Sequence, residues 1–172
     1  MSTLHEIGNA VRRRRTEMGL TQQALAHISK LSRSTISAIE KQSITNLSLT
    51  KAQSLLESVG LSMNVATNET PNDRASKKSR SALARAASMA SVSFGTALTA
   101  AQLQAAIISG HARASIAPHL QTLLDEAPMS LLAKVVDEIY VEQEIERALI
   151  WQQMRRLASQ LKCFRLVWRD PR

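Results

Sequence analysis

Six side chains between residues 33 and 41 carry the chemistry that this chain most plainly offers: Arg33, Ser34, Thr35, Ser37, Ala38 and Lys41. None is bulky and apolar, and each can reach a groove edge or a phosphate. They suit the outward flank of a short helix, because Ile36 and Ile39 fall on its other side. A helix with such a flank is what the major groove of B-DNA admits. Arg33 brings a planar fork that matches O6 and N7 of guanine, worth about 1–3 kcal/mol of discrimination. Ser34 and Thr35 are short and separate the bases poorly. Taken alone, Arg33 reads as a solvated surface cation; its place in the pattern favours base contact.

Elements on either side must position that flank. A helix is predicted over Thr21–Ser29, with Leu25, Ala26 and Ile28 inward, and a second over Arg33–Lys41. The small Ala24 and Ala26 let the two approach closely. Thr21 and Ser32 are placed to cap them, each leaving a hydroxyl for an orphan amide. Before them, a capping box of Thr3 and Glu6 opens a helix whose stripe is Leu4, Ile7, Val11 and Met18, ended by Gly19. The run Arg12–Arg15 sweeps almost round that helix, so at least one arginine must face the other helices. A fourth helix is predicted from Leu49 to Val59, with Leu49, Ala52, Leu55, Leu56 and Val59 inward and Gly60 after it. The alternation Leu61–Ala66 is a short strand signal. A lone strand has unpaired edges, which a second copy in a dimer would satisfy.

The segment from Leu4 to Ala66 resembles the Cro/cI-type, or XRE, helix-turn-helix family. Arg15, Gly19-Leu20-Thr21-Gln22, Leu25-Ala26, Ser32, Ile36-Ser37 and Glu40 carry the likeness. The stretch LLESVGLSMNVA is similar to the HipB-like branch, whose members are antitoxins and autorepressors. The resemblance implies a lambda-repressor-like domain of five-helix type. It implies that Gln22 bonds a backbone phosphate, that Arg33, Ser34 and Ala38 meet base edges, and that Thr35, Ser37 and Lys41 touch phosphate or the groove wall. It also implies that Arg15 and Glu40 pair beneath the second helix of the motif and fix its tilt. Arg12, Arg13 and Arg14 stay open between phosphate contact and ordinary solvation. Two positions depart from the family pattern: Lys30 and Gln42 stand where glycine is usual. A left-handed conformation at Lys30 would cost about 1 kcal/mol.

Composition agrees with a polyanionic partner. The net charge is +8, and its excess lies early. Residues 1–66 hold 8 Lys and Arg against 4 Asp and Glu, residues 67–85 hold 5 against 2, and residues 86–172 hold 9 against 8. Aromatic content is only 3%, so there are few platforms for stacking unpaired bases, and duplex DNA is favoured over single strands. The single cysteine, Cys163, excludes an internal disulfide and suits a reducing compartment. There is neither a membrane-length apolar run nor a signal-peptide pattern. The expected location is the cytoplasm of a bacterium, or of one carrying the gene on a phage or plasmid, in association with the nucleoid.

Residues 67–81 read as a basic, flexible linker, either tracking DNA through Arg74, Lys77, Lys78 and Arg80 or serving as a solvated tether. Residues 82–172 read as a helical interaction or oligomerisation domain, so the fold class is all-α. Four or five helices are predicted there, the segment from Val141 to Lys162 being open to continuing the one before it. The tail Phe164–Arg169 is read as an edge strand or a docking anchor. Trp151 and Trp168 are more ordinary as core than as partner anchors. No catalytic pattern stands out. The acidic run Asp137, Glu138, Glu142, Glu144 and Glu146 reads as a solvated helix face, and His111 and His119 have no clustered ligands beside them. Cys163 reads as a structural thiol. No metal or cofactor is expected.

Two classes of function remain. One is a sequence-specific repressor of double-stranded operator DNA acting as a homodimer, most specifically an autoregulating antitoxin whose helical half binds a cognate toxin; a ligand- or oligomer-controlled regulator is its rival. The other is a DNA-anchored interaction or architectural module. An enzyme is a distant third.

Overall fold

The computed structural model describes residues 3–63 and 81–169. Among the described residues the regular structure is helical. The helices are α1 (Thr3–Glu17), α2 (Gln22–Ser29), α3 (Arg33–Glu40), α4 (Leu49–Ser58), α5 (Ala82–Ala90), α6 (Ala100–Ser109), α7 (Ala117–Glu126), α8 (Met129–Gln143) and α9 (Arg147–Gln160), followed by a 3-10 turn at Leu166–Trp168.

Local chemistry sets most of these boundaries. Thr21, Ser32, Ser48, Ser81 and Thr99 each accept a bond from an amide in the first turn of the helix they precede. Thr99 and Gln102 complete a reciprocal capping box. α7 has no side-chain cap and starts instead with proline in its first turn, where a missing amide hydrogen costs nothing. Among the described residues α1 begins at Thr3, so Thr3 is helical rather than the cap before the helix.

Several sequence expectations can be set against the structure here. Leu49 does not face inward: it is the first residue of α4 and is 66% exposed. The alternation at Leu61–Ala66 gives no strand at residues 61–63, and its remainder, like the linker expected at 67–81 apart from Ser81, lies outside the described residues. The helix left open to continue past Val141 runs only to Gln143: Glu144 turns left-handed at φ 54° and ends α8, and α9 starts anew at Arg147. The tail forms a 3-10 turn, not a strand; it docks through Trp168, whose Nε1 donates to the Leu124 carbonyl at 2.9 Å.

Packing divides into two groups of helices with one interior. α1 and α2 both pack on α3, and α2 also meets α4. α5 packs on α6, α7 and α8, while α9 lies against α6, α7 and α8. Trp151 and Trp168 are both core residues, with ring centroids 6.3 Å apart. The groups join where α1 meets α9, α4 meets α8 and the 3-10 turn meets α2. Val11, Met18, Leu25 and Val59 therefore belong to the same hydrophobic cluster as Leu132, Trp151 and Met154.

Polar contacts reinforce that junction. Arg14 reaches Asp137 at 3.4 Å, and Asp137 also takes Arg147 at 2.6 Å. Arg155 Nη2 donates to the Met18 carbonyl at 2.5 Å. Glu138 accepts from Ser81 and from the Leu83 amide, so it serves the amino terminus of α5. Asp137 and Glu138 are thus structural partners rather than part of a solvated face; Glu142, Glu144 and Glu146 are exposed, as that reading expected.

Candidate nucleic-acid interface

α3 is a short helix with two different faces. Ile36, Ile39 and Glu40 are buried beneath it. Arg33, Ser34 and Lys41 are exposed, and Thr35, Ser37 and Ala38 are half-buried along the same outer flank. With eight residues the helix is about 12 Å long, roughly the width of the B-DNA major groove. Arg33 makes no hydrogen bond or ion pair among the described residues and stands ready to form new ones.

The amino end of α3 carries a hydroxyl cluster. Ser32 Oγ accepts from the Thr35 amide at 3.0 Å and lies 2.7 Å from Ser34 Oγ and 2.8 Å from Thr35 Oγ1. Ser34 and Thr35 therefore bend back toward the cap. Hydroxyls gathered at a helix amino terminus suit an anionic oxygen, since the amide hydrogens and the helix dipole point the same way.

The two turns that display α3 are both left-handed without glycine. Lys30 has φ 57° and Gln42 has φ 59°. At the first turn, the Leu31 amide donates to the Ala26 carbonyl at 3.0 Å. At the second, the Ser43 amide donates to the Ala38 carbonyl at 2.9 Å, and Gln42 Nε2 donates to Asn9 Oδ1 at 2.9 Å. Each turn retains strain of about 1 kcal/mol and offsets it with hydrogen bonds of similar size.

Beneath α3 lies an ionic clamp. Arg15 Nε donates to Glu40 Oε1 at 2.6 Å and Arg15 Nη2 to Glu40 Oε2 at 3.0 Å, a two-pronged pair. Arg15 Nη1 also donates to the Leu20 carbonyl at 2.7 Å, linking the clamp to the α1–α2 turn. Gln22 Nε2 donates to Glu40 Oε2 at 2.9 Å. One amide hydrogen of Gln22 is thereby used, and the other remains to be donated elsewhere. Burial pushes the Glu40 carboxyl up, but the bonds from Arg15 and Gln22 and the charges of Arg15 and Arg12 outweigh it, so the group sits below the usual carboxylate range.

That lowered value has a pH consequence. The stabilisation it supplies is complete above the unfolded carboxylate value of about 4.3 and is lost as pH falls through the lower native value. Wild type should therefore melt above Glu40→Gln at pH 7, with the gap closing as the buffer is taken below about pH 4. A gap in melting temperature that persists unchanged into strong acid would show that the carboxylate charge contributes nothing.

One residue that positions α3 escaped sequence reasoning. Gly8 is buried in α1, where an added Cβ would overlap the carbonyl oxygen of Ile39. The signal was available, since glycine inside a helix costs up to about 1 kcal/mol relative to alanine and calls for a packing reason. Of the four arginines, Arg14 and Arg15 turn to protein partners, while Arg12 and Arg13 are exposed.

Other titratable groups do not assemble into a second chemistry. His119 is buried with a ring nitrogen 2.8 Å from the Thr96 carbonyl, and His111 is exposed and close to Ser109. Among the described residues no group of three or more His, Cys, Asp and Glu is placed to hold a metal, and no helix is long and apolar enough to cross a membrane.

A helix-turn-helix family model matches residues 11–65. No curated protein and no solved structure matches the chain. The matched span contains the α2–turn–α3 unit and both members of the Arg15–Glu40 clamp. Residues 11–65, under half of the chain, are thus similar to the helix-turn-helix family, a likeness that points to a DNA-binding regulator.

Proposed function

We propose that this protein is a sequence-specific transcriptional repressor that binds double-stranded operator DNA as a homodimer, in the cytoplasm and on the nucleoid. The exposed flank of α3, held over a buried and clamped face, is the observation that carries this reading. Arg33, Ser34 and Ala38 address base edges. Thr35, Ser37 and Lys41 address phosphate or the groove wall, and Gln22 binds a phosphate from the amino end of α2. Two copies place their α3 helices about 34 Å apart on a near-palindromic site. Footprinting across the gene's own promoter tests the reading; absence of protection at low salt and high protein concentration would sink it.

Arg33→Ala should relax base preference at one position and cost about 1–3 kcal/mol of binding free energy. Competition between the operator and single-base variants checks this. A uniform loss on every sequence would reassign Arg33 to phosphate.

The finer reading is an autoregulating antitoxin whose helical half binds a toxin. It is supported by the likeness of Leu55–Ala66 to the HipB-like branch. Co-expression with the product of the adjacent gene tests it: a stable complex that tightens operator binding is expected, and no interaction would remove it.

One observation favours the rival, a ligand-controlled regulator. A groove of about 770 Å³ lies at the seam of the two halves, lined by Ile28, Glu57, Met129, Phe164 and Leu166 among others. Phe164 is 68% exposed there. Apolar clefts of this size at domain seams are common small-molecule sites.

A further inference from the structure

The carboxy-terminal part holds a cationic feature that the helix-turn-helix does not use. A cleft of about 530 Å³ opens between the end of α9 and the 3-10 turn, lined by Arg155, Ser159, Lys162, Cys163, Trp168 and Arg169. Its lining includes three cations and no acid. Lys162 and Arg169 are exposed, and Arg155 is half-buried. The left-handed turn at Lys162, φ 56°, brings the chain back across the end of α9 and sets Lys162 and Arg169 in the same cleft. Asp125 of α7 touches the Cys163 thiol, but it accepts from the Phe164 amide at 3.0 Å and does not line the cleft. Burial first, and Asp125 second, push that thiol up to about 12, so it stays protonated near neutral pH and is no nucleophile.

The position of the cleft matters as much as its charge. Arg155 donates to the Met18 carbonyl and lies against Gly19, two residues before the cap of α2 at Thr21. The 3-10 turn, which carries Trp168, packs on α2 itself. The cleft thus stands beside the helix whose amino end is assigned to a phosphate.

We propose that this cleft binds the phosphodiester backbone of the same duplex that α3 addresses, so that the helical half adds a sequence-independent grip on one flank of the site. The inference rests on the DNA-binding reading above. Duplex DNA presents one charge per about 1.7 Å, and neutralising phosphates releases condensed counterions, which makes the contribution visible in salt dependence.

The test uses the full chain and the double variant Lys162→Gln, Arg169→Gln. Arg155 is left in place because it holds the Met18 carbonyl. Both proteins are titrated over a salt series against the footprinted promoter segment, extended by a full turn on each side, and against a random duplex of equal length. The variant should bind both duplexes more weakly, with a plot of log affinity against log salt shallower by about 1.8, or about 0.9 per phosphate. If the double variant melts early, Lys162→Gln alone is read for a change of about 0.9. Inorganic phosphate distinguishes the other source of the same chemistry. An unchanged slope, with phosphate raising the melting temperature of wild type only, assigns the cleft to a free anion and overturns the proposal. An unchanged slope with no phosphate effect also overturns it. Failure of wild type to bind any duplex removes the α3 reading and this one together, whereas intact wild-type binding with an unchanged variant slope removes this one alone.

Discussion

Arg15→Ala is expected to destabilise the protein by about 3–5 kcal/mol, because it removes one partner of a buried pair and strands the other. The Glu40 side chain is 3% exposed, and without Arg15 it keeps only the Gln22 amide as a hydrogen-bond donor. The Leu20 carbonyl also loses its donor, so the α1–α2 turn loosens at the same time. Urea denaturation of wild type and variant measures the loss directly. A loss under about 1 kcal/mol would place the pair with solvent-screened surface bridges. The double replacement Arg15→Met, Glu40→Leu separates charge from shape. It should regain most of the stability, since well-packed apolar residues can replace a buried pair at little cost. It should not regain operator preference, because the clamp that sets the tilt of α3 and holds Gln22 is gone.

Gly8→Ala should reverse the usual sign of a helix substitution. In an open helix, alanine in place of glycine stabilises by about 1 kcal/mol. Here the added methyl would meet the Ile39 backbone, so α1 and α3 must part. The expected result is a loss of about 1–3 kcal/mol, with weaker DNA binding as α3 shifts. A higher melting temperature would mean that α1 and α3 are not in close contact at this point. Asn9 lies next to Gly8 and bonds Gln42, so the displacement reaches the turn that ends α3.

The elements of the helix-turn-helix were legible because their determinants are local. Thr21 and Ser32 announce helix starts by residue type, and Ile36 and Ile39 announce a buried face by spacing. Even Lys30 and Gln42, which lack the glycine the geometry prefers, were visible as departures, and both take the left-handed conformation. Leu49 shows where pattern fails: its spacing matches the buried face of α4, but as the first helical residue it lies at the end of that face and is exposed. The break at Glu144 had no glycine or proline to signal it. It is followed by Arg147, which bonds Asp137 and stacks over the Tyr140 ring at 3.7 Å, contacts that a continuous helix would not organise in the same way. Asp137 and Glu138 resembled a wetted face because their partners, Arg14 and Ser81, are far away in sequence. Of the candidate interface, the residues that display outward could be read from the chain; Gly8 carried a signal as a glycine inside a helix, but its neighbour Ile39, like the bond from Gln42 to Asn9, appears only when α1 and α3 cross.

The seam between α1 and α9 bears on how a site on DNA can be matched. Asp137 grips Arg14 in the last turn of α1, and Arg155 grips Met18 just past its end. With two such fastenings on one helix, α3 lacks a swivel of its own. In a symmetric pairing of two chains, each α3 would then turn only with its own α1, and the span between the two would be set by the contact between the chains. Inserting half a helical turn between half-sites would carry one of them round the duplex, and α3 could follow it only if that contact gave way.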